Sequence, residues 1–100
     1  MGSNSKGSGY DVLIVGAGIQ GLSSALQLAL RGCRVLVIER DGPGQHASGV
    51  NAGGVRTLWR HPAEIPLARA SLEIWRDIKT LLGTDCRYHS NGSLRIAESD

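Results

Sequence analysis

Three glycines and one carboxylate carry the first chemical signal. Gly16, Gly18 and Gly21 lie in Gly16-Ala17-Gly18-Ile19-Gln20-Gly21, and Glu39 follows 18 residues after the last of them. Backbone without side chains can approach a pyrophosphate closely. The N–H groups of a helix that begins at such a turn face the phosphate oxygens, with the positive end of the helix dipole behind them. A carboxylate at the Glu39 spacing accepts hydrogen bonds from ribose hydroxyls. Together these groups suit a dinucleotide. A glycine turn kept only for close packing would leave the acid unexplained. Glu39 also repels a 2′-phosphate, which argues against NADP. Arg40 reverses that only if it displaces Glu39 from the ribose.

This chemistry needs a strand, a turn, a helix and a second strand in order. The segment DVLIVGAGIQGLSSALQLALRGCRVLVIER, residues 11–40, supplies them. Residues 11–15 are a nearly continuous apolar run, as in a strand of a parallel sheet covered on both faces. Apolar residues then recur at Ile19, Leu22, Ala25, Leu26, Ala29 and Leu30, which predicts a helix with one buried stripe. Gly32 is placed to end that helix, and residues 34–39 read as the second strand. The crossover is expected to be right-handed.

Residues 40–62 are rich in glycine and have little periodicity. A structureless connection of about 20 residues inside a compact domain is uncommon and often functional. Gly49, Gly53 and Gly54 would let main chain lie against something large and flat. The glycine motif alone does not separate FAD from NAD, because both carry the same ADP half, but the long loop favours FAD. A helix is expected from about Ala63–Pro66 to just before Gly83, with Leu72, Trp75, Ile78 and Leu82 on its apolar face. The segment around Asn91-Gly92 reads as a β-hairpin with a type I′ turn.

The 11–40 segment together with ASGVNAGGVR (residues 47–56) and HPAEIPLARASLEIW (residues 61–75) is similar to the N-terminus of the D-amino-acid oxidase family of FAD-dependent oxidoreductases. Within that family it most resembles the sarcosine/glycine oxidase and D-amino-acid dehydrogenase-like members. The resemblance runs from Tyr10 to Asp100. Its GxGxxG part is shared by many flavoproteins, and its loop is more specific. It implies oxidation of a C–N bond in a small amine or amino acid, with a hydride passing to flavin.

The resemblance also implies that Gly16, Gly18 and Gly21 hold the pyrophosphate, and that Glu39 holds the adenosine ribose with Arg40 beside it. It places Ser48, Asn51, Ala52, Gly53, Gly54 and Val55 along the middle and flavin end of FAD. Arg56 matches an arginine near the flavin, whose charge would stabilise the reduced, anionic ring. With Ile19 at the helix start, these residues form the expected cofactor-binding set; no catalytic residue is assigned. Some covalent-flavin relatives carry a histidine in this loop. Asn51 and Ala52 stand at the matching positions, so the FAD is expected to be non-covalent. His46 and His61 read as solvated loop histidines.

Composition sets the remaining bounds. The chain has 100 residues, no Phe and a formal net charge of +2 without a basic block, so nothing points to nucleic acid. No apolar run reaches the ~20 residues of a membrane span. Cys33 and Cys86 are far apart and read as reduced thiols, which fits a cytoplasmic protein. Asn91-Gly92-Ser93 is formally a glycosylation sequon and is read here as a turn. Residues 1–9 read as a flexible tail or tag, and residues 10–100 as the N-terminal part of an FAD-binding domain without its substrate domain. The expected class is α/β: a Rossmann-like FAD/NAD(P)-binding βαβ unit with glycine-rich loop, helix and hairpin, incomplete as a domain. Its uncovered sheet edges predict self-association. Two alternatives stand beside this reading, an NAD-dependent dehydrogenase fragment and a non-catalytic truncated product.

Overall fold

The structure is a computed structural model that describes residues 9–98. The tail or tag expected at residues 1–9 lies almost wholly outside them. The chain divides into two units, Met1–Ala52 and Gly53–Asp100.

In the first unit, β1 (Val12–Val15) and β2 (Val35–Ile38) form a two-stranded parallel sheet in register Val12↔Val35 through Val15↔Ile38. Helix α1 (Ile19–Leu30) connects them. This is the expected βαβ unit, with strand ends trimmed by one residue. Asp11 fastens the start of the sheet. Its carboxylate accepts from the Arg34 backbone N–H at 2.8 Å and from the guanidinium at 2.9 and 3.2 Å. The Asp11 N–H in turn donates to the Arg34 carbonyl at 2.8 Å. The paired guanidinium holds the Asp11 carboxyl at about pKa 2, below the ordinary 3.8.

Gly21 seats α1 on β1. A Cβ there would collide with the Gly16 carbonyl oxygen and lie 3.3 Å from Ile14 Cγ2. The line Gly21, Ala25, Leu28 therefore turns inward, with Leu26 beside it, and all four are half-buried. Ile19, Leu22, Ala29 and Leu30, expected in the stripe, are exposed. Close approach at Gly21 sets which line faces the sheet, so that of the expected stripe Ala25 and Leu26 turn inward. The helix ends in a Schellman arrangement: the Gly32 N–H donates to Ala29 and the Cys33 N–H to Leu28. Gly32 has φ +85°, the left-handed geometry expected of it.

In the second unit a 3-10 turn (Pro62–Glu64) leads into α2 (Ile65–Arg76) and α3 (Ile78–Leu82). His61 Nδ1 accepts from the Ala63 N–H and caps the turn. The single expected helix is thus broken at Asp77 and closed by Gly83 at φ +74°. Ile78 is buried, Leu72 and Trp75 are half-buried, and Leu81 takes the inward place expected of Leu82. Trp75 packs against Tyr88, ring centroids 5.5 Å apart. Trp59 is exposed, with the Arg95 guanidinium 4.9 Å from its ring centre.

The expected hairpin does not form: residues 85–98 contain no strand. Gly92 does turn, at φ +76°, but Cys86 and Arg87 also lie at positive φ and bend the chain out of extended geometry. Leu94 and Ile96 are largely exposed. Two short strands without a third or a packed face are marginal in water, and a turn signal alone does not supply that support. No helix among the described residues is long and apolar enough to cross a membrane.

Candidate functional site

The residues with dinucleotide chemistry converge in the first unit, where β1 ends. The Gly16 N–H donates to the Ile38 carbonyl at 2.7 Å and extends the sheet by one bond. The chain then turns sharply, with Gly16 at φ +103°, a geometry that favours glycine. Gly18 is the N-cap of α1 and brings no capping side chain. The cap comes from the distant loop: Ser48 Oγ accepts the Ile19 N–H at 2.8 Å. A Cβ on Gly18 would lie 3.1 Å from that oxygen, so a glycine here lets the loop approach.

Glu39 reaches the same turn from the end of β2. Its Oε2 accepts the Ala17 N–H at 2.7 Å, and its Oε1 accepts the Asp41 N–H at 3.1 Å. These backbone donors, Ala17 first, hold the Glu39 carboxyl below its ordinary pKa and keep it charged. Ala17 is one of the few buried residues of the chain. Its carbonyl accepts the Gly44 N–H at 2.9 Å, which ties the loop back onto the turn.

The result is an open pocket lined by Ala17, Gly18, Glu39, Gly42, Gly44, Gln45, His46, Ala47 and Ser48. One wall offers a charged carboxylate, the other a hydroxyl at a helix N-terminus. A hydroxyl that accepts an N–H still has its own hydrogen to donate, and an ionised carboxylate has about four acceptor positions. The pocket can therefore meet an anion on the Ser48 side and sugar hydroxyls on the Glu39 side.

The expected cofactor-binding residues divide by position. Gly18, Glu39 and Ser48 line the pocket. Gly16, Ile19 and Gly21 shape the turn and helix start behind it. The Arg40 Nε donates to Asp41 Oδ2 at 3.2 Å and the side chain is otherwise exposed. Asn51 and Ala52 end the first unit; Asn51 Nδ2 donates to the Ser48 carbonyl. Gly53, Gly54, Val55 and Arg56 open the second unit, with Val55 half-buried and Arg56 exposed. His46 is exposed as expected, its side chain 66% accessible, and it also borders the pocket, with Nε2 2.7 Å from Asp41 Oδ2. Ala17, Gly42, Gly44, Gln45 and Ala47 line the pocket outside the expected set. The spacing Gly42-x-Gly44, beginning three residues after Glu39, is the sequence signal for the two glycines.

Comparison with known proteins places the sequence. The model of the DAO family, FAD dependent oxidoreductase, matches residues 11–100. Monomeric sarcosine oxidase of Streptomyces avermitilis is 34% identical over 87 residues, covering 83% of this chain and 22% of that protein. Glycine oxidase of Pseudomonas aeruginosa is 39% identical over 88 residues, covering 81% of this chain and 24% of the relative. Glycine oxidase of Bacillus licheniformis is 33% identical over 98 residues, covering 91% and 27%. The chain thus spans about a quarter of the length of these relatives. No solved structure matches. The chain belongs to the DAO family of FAD-dependent oxidoreductases.

Proposed function

We propose that this chain binds the ADP half of FAD in the Ala17–Glu39–Ser48 pocket and forms the N-terminal part of an enzyme that oxidises the C–N bond of a small amine or amino acid. The observation that carries the reading is the convergence of Glu39, the start of α1 and Ser48 on one pocket. Glu39 holds ribose hydroxyls and rejects a 2′-phosphate. The Ser48 hydroxyl, whose oxygen caps the Ile19 N–H, faces the pyrophosphate at the positive end of a 12-residue helix. Gly16, Gly18 and Gly21 keep that region clear of side chains. The family resemblance assigns Asn51, Ala52, Gly53, Gly54, Val55 and Arg56 to the flavin end of the cofactor, with Arg56 as a cation for the reduced ring.

FAD, when bound, supplies the redox chemistry by accepting a hydride from the substrate carbon. The substrate class is supported by relatives named for sarcosine and glycine. Residues 10–100 are then the first part of the FAD-binding domain. The flavin carries no histidyl link from this loop in this reading, because Asn51 and Ala52 stand at the matching positions.

The visible absorption spectrum of the purified protein, taken before and after acid precipitation, tests the reading. Flavin bands that leave with the supernatant are expected. Colour retained in the pellet would mean a covalent link. Protein that stays colourless after incubation with FAD would overturn the assignment of the pocket.

A further inference from the structure

The loop over the pocket is held by a contact that the reading above does not use. His46 Nε2 lies 2.7 Å from Asp41 Oδ2. A ring nitrogen this close to a carboxylate oxygen carries the hydrogen and donates it. The backbone N–H of the same Asp41 donates to Glu39. The His46 carbonyl accepts the N–H groups of Gly49 and Val50 at 2.9 and 3.2 Å, closing the turn that carries Ser48. That turn is tight, since a Cβ on Gly49 would collide with the Gly44 carbonyl oxygen. Hydrogen bonds therefore run from Glu39 through Asp41 and His46 to the turn that carries Ser48, whose Oγ accepts the Ile19 N–H.

The charge of Asp41 makes the arrangement informative. A second carboxylate next to Glu39 repels a pyrophosphate. If Asp41 acted through charge alone, removing it would tighten binding. If it acts by holding His46, removing it loosens binding. We propose that Asp41 and His46 form a clasp that holds the Ser48 loop on the start of α1, and that His46 is thereby a positioning residue for the dinucleotide. The inference rests on the dinucleotide reading of the pocket.

The test is a titration of the purified protein with FAD, followed by flavin fluorescence, for the unchanged chain and for Asp41→Ala, His46→Ala, the double variant and His46→Gln. Exposed pairs of this kind contribute modestly, so each alanine variant is expected to bind FAD roughly two- to fivefold more weakly. The double variant is expected to lose no more than Asp41→Ala alone, which removes the His46 contact together with the Arg40 contact on the same oxygen. His46→Gln, whose amide can donate to the same carboxylate, is expected to recover most of the affinity; a variant that merely misfolds the loop would not. Tighter binding by Asp41→Ala, or losses that add in the double variant, would overturn the clasp while leaving the pocket assignment standing. Failure of the unchanged chain to bind FAD would overturn both.

Discussion

The Ala17 N–H donates to Glu39 Oε2 across 2.7 Å, joining the turn after β1 to the residue that follows β2. Glu39 therefore has two roles, one toward the fold and one toward the proposed ribose. Its charge is sustained by the same backbone donors that orient it. Substitution of Glu39 should separate these roles. Glu39→Gln keeps one carbonyl acceptor but loses the charge, and FAD affinity is expected to fall roughly tenfold. Glu39→Ala is expected to lose more and to lower the melting temperature as well. Titration and thermal melts of both variants check this.

Ser48 and Ile19 form the second long-range tie. Ser48→Ala leaves the Ile19 N–H without its capping oxygen. Loss of an N-cap oxygen typically costs about 0.5–2 kcal/mol. Ser48→Thr retains the hydroxyl and is expected to preserve both stability and FAD affinity, whereas Ser48→Ala is expected to reduce both. Denaturant unfolding alongside FAD titration distinguishes the two substitutions.

Gly21 answers a steric requirement rather than a chemical one. In Gly21→Ala the new methyl group meets the backbone oxygen of Gly16, which cannot rotate away. Helix and strand must separate, at a cost of about 1–3 kcal/mol. The melting temperature is expected to drop, and the Glu39 and Ser48 variants provide the comparison for effects on binding alone.

The βαβ unit was legible because it is written locally. An apolar run, a glycine turn and a helical repeat each lie within a few residues, and the acid that completes them has a fixed spacing. The pocket wall was not legible in the same way. Ser48 meets Ile19 across 29 residues, and Asp41 meets His46 through a loop with no period. Nothing in either histidine's neighbourhood distinguishes His46, which faces the pocket, from His61, which caps a turn. The hairpin failed for the opposite reason: Asn91-Gly92 is a strong local turn signal, but strand pairing depends on partners that the turn does not supply.

The Asp11–Arg34 pair predicts a pH dependence of stability. Asp11 titrates at about 2 when folded and near its ordinary 3.8 when unfolded. The unfolded chain therefore takes up the proton more readily in this window. The contribution is fully present above about pH 4 and is lost as pH falls toward 2. Urea midpoints measured between pH 2 and 6, in the unchanged chain and in Asp11→Asn, are expected to differ above pH 4 and to converge at the acid end. Glu39 acts in the same direction and remains in both proteins, so the difference isolates Asp11.

The sheet face away from Ile14 exposes Leu13, Val15 and Ile38. Apolar side chains grouped this way on a two-stranded sheet favour association. The 100-residue chain is expected to elute from a sizing column with an apparent mass that rises with concentration. Replacing Leu13 and Val15 by Thr is expected to shift it toward the monomer.

The central claim is that FAD occupies the pocket between Ala17, Glu39 and Ser48. Amide chemical-shift mapping during an FAD titration tests it most directly. The largest changes are expected at the N–H groups of Ala17, Ile19 and Gly44, whose present partners line or carry that pocket. Shifts confined to other residues, or none at saturating FAD, would contradict the account.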